Sequence, residues 1–228
     1  LLAALLLRVI ALETRGLWYD DTFSLFLSQQ SLPRIVSGTA ADTMPPLYYF
    51  LLHGWMIFGR AVGWMRLLNV GLSLGIVALL YAWVSKVAGR QAGLWAALFA
   101  AVSPLQIYHA QELRMYALLT LALLGYAWFF TRLWDERASP HLPLREWLGL
   151  IACGAAAMYS HNLAVFSLVA PNVFLILKRD WRLLARLVLA QAVIGLAALP
   201  WLVLIPGQIA KIQRAFWTPR PGVKEVIQ

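Results

Sequence analysis

Residues 147–177 read WLGLIACGAAAMYSHNLAVFSLVAPNVFLIL, thirty-one residues without a formal charge. Whether this run crosses a bilayer once or twice sets the topology of the rest of the chain. A membrane-spanning helix needs about 20 apolar residues, so the run is long for one span and short for two. Tyr159-Ser160-His161-Asn162 interrupts it near the middle. That interruption predicts two short, tilted helices that meet there.

The basic residues favour the same choice. With two helices in 147–177, Lys86, Arg90, Arg132, Arg137, Arg145, Lys178, Arg179, Arg182 and Arg186 all fall in inner loops. The short outer turns 106–114 and 159–162 then hold only Arg114. This is the positive-inside distribution of cytoplasmic loops. A single helix would put the 178–186 cluster outside.

Other runs fit the same pattern. Leu1–Leu12 reads as the tail of a first span. Leu67–Ser85, Ala92–Gln111 and Met115–Thr131 are uncharged and each suits one helix. Leu187–Ala210 suits another, kinked at Pro200, whose ring removes a backbone hydrogen bond. The predicted fold class is an all-α, polytopic helical membrane protein with about seven transmembrane helices. Leu47–Phe58 is apolar but too short to cross, and Thr22–Gln30 reads as a second short helix capped by Asp20, Asp21 or Thr22. Both are expected to lie at the interface. They belong to a first outer loop, 13–62, and an outer tail covers 207–228.

Composition agrees. The 228 residues are 61% hydrophobic and 13% charged, against about 45–50% and 25% in ordinary globular domains. Disorder, a coiled coil and a disulfide scaffold are excluded, and the lone Cys153 excludes an internal disulfide. The net charge of +9 is read as cytoplasmic loop charge rather than a nucleic-acid surface. The chain opens inside an apolar run without an initiator Met. It reads as one transmembrane domain of a longer protein, truncated at both ends.

The unusual polar residues all fall on the expected outer face. They are Asp20-Asp21, the loop Asp42–Tyr49, the turn Ser103–Tyr116, His161 with its neighbours, and Trp217-Thr218-Pro219-Arg220-Pro221. Ionisable groups near membrane depth are costly and mark candidate functional sites. Each also has an ordinary reading: helix caps for the acids, a solvated turn for Glu112 and Arg114, an interfacial His for His161, and surface charge for Arg220.

In this order the segments resemble the membrane-embedded GT-C glycosyltransferases. The similar branch is the protein-mannosyltransferase-like and lipid A aminoarabinose-transferase-like one, glycosyltransferase family 39. Its pattern is an acidic pair after the first span, Pro-Pro-Leu-Tyr-Tyr, Ser-Pro…Gln-Glu-x-Arg-Met-Tyr, Tyr-x-His and Trp-x-Pro-x-Pro. Here these are Asp20-Asp21, Pro45–Tyr49, Ser103–Tyr116, Tyr159–His161 and Trp217–Pro221. One departure is Met44, where many relatives carry His before the proline pair, so a contact attributed to that His does not carry over.

The resemblance implies sugar transfer from a polyprenyl-phosphate carrier to an acceptor hydroxyl on the outer face, with inversion. The expected setting is the bacterial cytoplasmic (inner) membrane. Asp20 would be the general base, with Asp21 orienting it or binding hydroxyls. Arg114 would hold the donor phosphate, helped by Arg220 or the tail cations Lys211 and Arg214. Glu112, His161, Tyr116 and Gln111 would contact sugar or acceptor, and Glu112 with His161 could take a divalent metal. Partners would be the donor and membrane lipid, with no nucleic acid. The competing class is a transporter or flippase for a lipid-linked or anionic solute. That class should carry ionisable residues at mid-bilayer and paired repeats, and the sequence shows no repeat.

Overall fold

The computed structural model describes residues 1–10, 12–138 and 143–215. Among them every regular element is a helix. Helices α1 (Leu2–Val9), α2 (Tyr19–Ser28), α3 (Leu32–Ala41) and α4 (Leu47–Trp55) precede the long α5 (Val62–Ala88). Then come α6 (Arg90–Val102), α7 (Pro104–Gln111), α8 (Tyr116–Asp135), α9 (Leu144–Met158), α10 (Ala164–Lys178), α11 (Trp181–Leu202) and α12 (Ile205–Ala215). The chain is a helical membrane protein. Among the described residues three helices, α5, α8 and α11, are long and apolar enough to cross a bilayer alone.

The expected class, an all-helical polytopic membrane protein, is the one found, but several helices are shorter than the uncharged runs they come from. Prolines and turns divide the apolar runs into shorter pieces. The run 147–177 is two helices, α9 and α10, meeting at the turn after Met158. The run 92–111 is not one helix. It breaks at Ser103, where Pro104 has no N–H to continue the ladder and instead occupies the first turn of α7. Ser103 caps α7, its hydroxyl accepting from the Gln106 N–H at 3.4 Å. The last run also differs, because α11 continues through Pro200 to Leu202 and α12 follows from Ile205.

The first loop holds three helices rather than two. α3 was not expected, although Leu32, Ile35, Val36 and Ala40 recur at helical spacing along LPRIVSGTAA. The cap of α2 is Trp18, which places Asp20 and Asp21 inside the first turn. There their negative charge suits the positive end of the helix dipole.

α5 is the organising element, packed against α6 and α8 and also touching α1, α4 and α7. Large apolar side chains of α6 and α11, among them Trp95, Phe99, Leu189 and Leu196, point outward and are exposed. Lipid is their solvent, so outward polarity is not required. The α5–α6 turn uses Gly89 at φ +90°, a conformation open to glycine. Close approach across this hairpin is fixed by Gly93. A Cβ there would lie 2.9 Å from the Ser85 amide and the Tyr81 carbonyl, and would overlap the Ser85 hydroxyl. Gly93→Ala should therefore destabilise the fold by about 1–3 kcal/mol. Thermal unfolding in detergent checks this, and an unchanged midpoint would refute it.

The two ends of the bundle are tied in different ways. At one end Lys86 pairs with Asp135 at 2.7 Å, Arg132 with Glu146 at 2.9 Å, and Arg137 with Asp180 at 4.0 Å. At the other end the turns between helices are tied to the first loop. Leu47 donates its N–H to the Tyr159 carbonyl at 3.1 Å. The Asn162 amide nitrogen donates to the Thr43 carbonyl, and the Trp201 indole donates to the Asn162 amide oxygen, both at 2.8 Å. Gln208 and Lys211 of α12 donate to the carbonyls of Ala40 and Ala41 at 3.3 and 2.5 Å.

Candidate active site

The site is built on three polar residues of α5. Arg66, Asn69 and Ser73 lie on one face of this otherwise apolar helix and are fully buried. Ser73 accepts from the Arg8 Nε at 2.8 Å. The rest of the Arg8 guanidinium donates to the carbonyls of Ala100 and Ala101 at 3.0 and 2.9 Å. These are the last-turn carbonyls that the break at Pro104 deprives of partners, so Arg8 caps α6 from α1. Gln111 secures the same junction from α7, its amide nitrogen donating to the carbonyls of Arg8 and Ile10 at 3.1 and 2.9 Å.

Arg66 fixes the stretch that leads into α2. Its guanidinium donates to the carbonyls of Leu12, Arg15 and Gly16 at 2.6, 2.9 and 3.2 Å. It also lies 3.8 Å from the Asp21 carboxylate. Asn69, three residues on, donates to the carbonyls of Glu112 and Arg114, the latter at 2.9 Å. Asp21 joins the two halves, accepting the Leu113 N–H at 2.8 Å and the Trp18 N–H at 3.4 Å. The irregular backbone 112–115 is thus held by side chains rather than by a helix ladder, which is how buried backbone polar groups are satisfied outside regular elements.

The two acids end in different places. Asp21 is 1% exposed and its oxygens are occupied. Asp20 is 62% exposed, with Oδ2 3.9 Å from the Nε of Arg114. That distance is too long for a hydrogen bond, and the Arg114 Nε is buried without a hydrogen-bond partner among the described residues. Burial opposes the charge on Arg114, but Tyr49, Asp20 and Tyr116 outweigh it and raise its pKa. Tyr48 and Tyr49 lie beneath, both fully buried, their hydroxyls also without partners among the described residues. Burial pushes the Tyr49 phenol up to about 12 and the Tyr48 phenol further. Both are neutral at physiological pH.

Beyond Arg114 lies an aromatic and imidazole row. Glu112 Oε2 is 2.7 Å from His109 Nδ1. The His109 ring stands 4.8 Å from the Tyr116 ring, which stands 6.4 Å from that of His161. His161 Nδ1 accepts the Leu163 N–H at 3.1 Å, which leaves Nε2 to carry the proton of the neutral ring. Burial, and then the charge of Arg114, lower its pKa and favour that neutral form.

Asp20, Asp21, Glu112, Arg114, Tyr116 and His161 are therefore neighbours at one end of the bundle. Gln111 faces α1 instead, Lys211 is engaged with the end of α3, and Arg220 lies outside the described residues. Met44, in place of the familiar His, packs with the apolar residues around Tyr48 and Tyr49. Among the described residues no three His, Cys, Asp or Glu side chains cluster together.

A family model described as dolichyl-phosphate-mannose-protein mannosyltransferase matches residues 43–204, well over half the chain. The chain belongs to that family. This is a family of membrane glycosyltransferases, and the chain is mannosyltransferase-like. The matched region contains Pro45–Tyr49, Glu112, Arg114, Tyr116 and His161. The acidic pair precedes it and reaches the same site through Arg66 and the Leu113 amide. No curated protein and no solved structure matches the chain.

Arg66 and Asn69 were not singled out by sequence reasoning. Their signal was present: polar residues at 66, 69 and 73 recur at helical spacing on an apolar helix. Such groups at membrane depth need buried partners.

Proposed function

We propose that this chain carries the active face of a glycosyltransferase using a polyprenyl-phosphate sugar donor, facing the outer side of the cytoplasmic membrane. The observation that carries the reading is the pairing of an exposed carboxylate, Asp20, with a buried guanidinium, Arg114, at 3.9 Å. In the absence of donor each partly neutralises the other. A donor phosphate brought to Arg114 takes over that role through a charge-assisted contact and releases Asp20 to act on the acceptor.

The acceptor oxygen then attacks the anomeric carbon from the face opposite the phosphate, so the configuration inverts. The bond from that carbon to the phosphate oxygen breaks, and its electron pair stays on the carrier phosphate beside Arg114. The hydroxyl proton passes to Asp20. Asp21, with no free oxygen, acts as a positioning residue. Tyr116 and the neutral His161 offer hydrogen-bonding groups to sugar hydroxyls, with Glu112 held behind them by His109.

Arg114→Lys and Arg114→Ala test the phosphate role in the full-length protein. Lysine keeps the charge but not the planar fork. A charged hydrogen bond contributes about 1.5–3 kcal/mol, so alanine should weaken donor binding by about ten- to hundredfold, with lysine between. Titration with a polyprenyl-phosphate sugar reads this directly. Unchanged affinity in Arg114→Ala would remove Arg114 from the donor site.

A further inference from the structure

A cavity of about 830 Å³ runs along α8 between α5 and α10, and none of the active-site side chains lines it. It extends on α8 from Thr120 to Asp135, a rise of about 22 Å. Trp83, Phe130, Trp134 and Phe174 wall it, while Ala127 and Ala170 keep it open. Pro171 lines it on α10, where the absent N–H weakens the helix ladder.

One end of the cavity is charged and the rest is uncharged and mostly apolar. Lys86 and Asp135 line that end and pair at 2.7 Å, both partly exposed. Lys178 does not line the cavity but reaches over Phe174, which walls it, with its Nζ 5.9 Å from the ring. Arg132, nearby on α8, is held by Glu136 and Glu146 and adds no free cation. The cavity thus has two lysines at its mouth, one of them paired with Asp135, and an uncharged body longer than one leaflet of a hydrocarbon core, which is about 15 Å of a roughly 30 Å whole.

We propose that this groove holds one acyl chain of an anionic glycerophospholipid, with its phosphate between Lys86 and Lys178. Basic pockets between membrane helices on the cytoplasmic side take such headgroups. A phosphate there can replace Asp135 as the partner of Lys86. A polyprenyl donor with its phosphate at Arg114 would enter the groove from the Thr120 end and leave the lysine mouth, about 30 Å away along α8, without a phosphate, so the two occupants differ in what the lysines bind. The choice against the donor rests on the proposed role of Arg114, whereas the preference of the mouth for an anionic lipid does not.

The test is native mass spectrometry of the full-length protein released from mixed micelles of phosphatidylglycerol and phosphatidylcholine. Phosphatidylglycerol should be retained preferentially, by about fivefold for each of the two cations. Lys86→Gln with Lys178→Gln should abolish the preference while leaving a lipid bound. Ala170→Trp, at an exposed position, should expel that lipid without disturbing the fold, as circular dichroism would verify. Equal retention of the two lipids by the wild type would overturn the proposal. So would an Ala170→Trp protein that keeps its lipid, or displacement of phosphatidylglycerol by lower concentrations of polyprenyl phosphate.

Discussion

Asp20→Asn should lower turnover by about 10²–10⁴-fold, the usual contribution of a positioned general base, while donor binding and thermal stability stay close to wild type. The asymmetry between the two acids makes this a sharp expectation. Asp20 is 62% exposed and makes one long contact, to Arg114, so an amide in its place disturbs no packing. Asp21→Asn alters a buried carboxylate that accepts two backbone N–H groups and faces Arg66. Its loss should appear first as a lower melting temperature, with activity falling in parallel. Single-turnover transfer from a polyprenyl-phosphate sugar, measured beside a melting curve, separates the two. An Asp20→Asn enzyme with wild-type turnover would end the base assignment. An Asp20→Asn enzyme that loses activity only in proportion to stability would make Asp20 another structural acid.

Much of this architecture is legible in the sequence because hydrophobic runs and turn residues report on it directly. Tyr159–Asn162 marks the junction of α9 and α10, and the charge distribution marks which loops share an end. The acidic pair, the Glu112–Tyr116 segment and His161 stand out because polar groups are conspicuous in so apolar a chain. Two kinds of feature were less visible. Counting uncharged residues treats Ala92–Gln111 as continuous, although Pro104 cannot donate to the helix ladder, and the resulting break is what Arg8 caps. The same counting starts a span at Leu67 and so makes Arg66 its outer boundary. In the fold α5 begins at Val62, and Arg66 lies inside it, fully buried. A buried arginine looks like a loop arginine until its partners are known, and those partners are backbone carbonyls some fifty residues earlier. Carbonyls have no sequence signature.

Arg66→Ala should destabilise the protein by about 3–5 kcal/mol, the cost of removing one partner from a buried charged network. Its guanidinium satisfies the carbonyls of Leu12, Arg15 and Gly16 and faces the Asp21 carboxylate. Without it three acceptors and one charge remain buried, and the segment between α1 and α2 loses its tie to α5. Arg66→Lys keeps the charge but supplies a single ammonium where a fork reaches several oxygens, so it should recover only part of the loss. A double-mutant cycle with Asp21→Asn isolates the ionic part, because removing Asp21 should cost less in the Arg66→Ala background than in wild type. Asn69→Ala acts on the other half of the site. It strands the carbonyls of Glu112 and Arg114 and should cost about 1–3 kcal/mol. Since Asn69 holds the segment that carries Arg114, this variant should weaken donor binding more than an equally destabilising Gly93→Ala at the far hairpin. Melting curves and donor titrations on the same preparations decide the matter. If Arg66→Ala melts with wild type, water must reach the carbonyls of residues 12–16. If Asn69→Ala and Gly93→Ala bind donor equally well, the placement of Arg114 does not depend on α5.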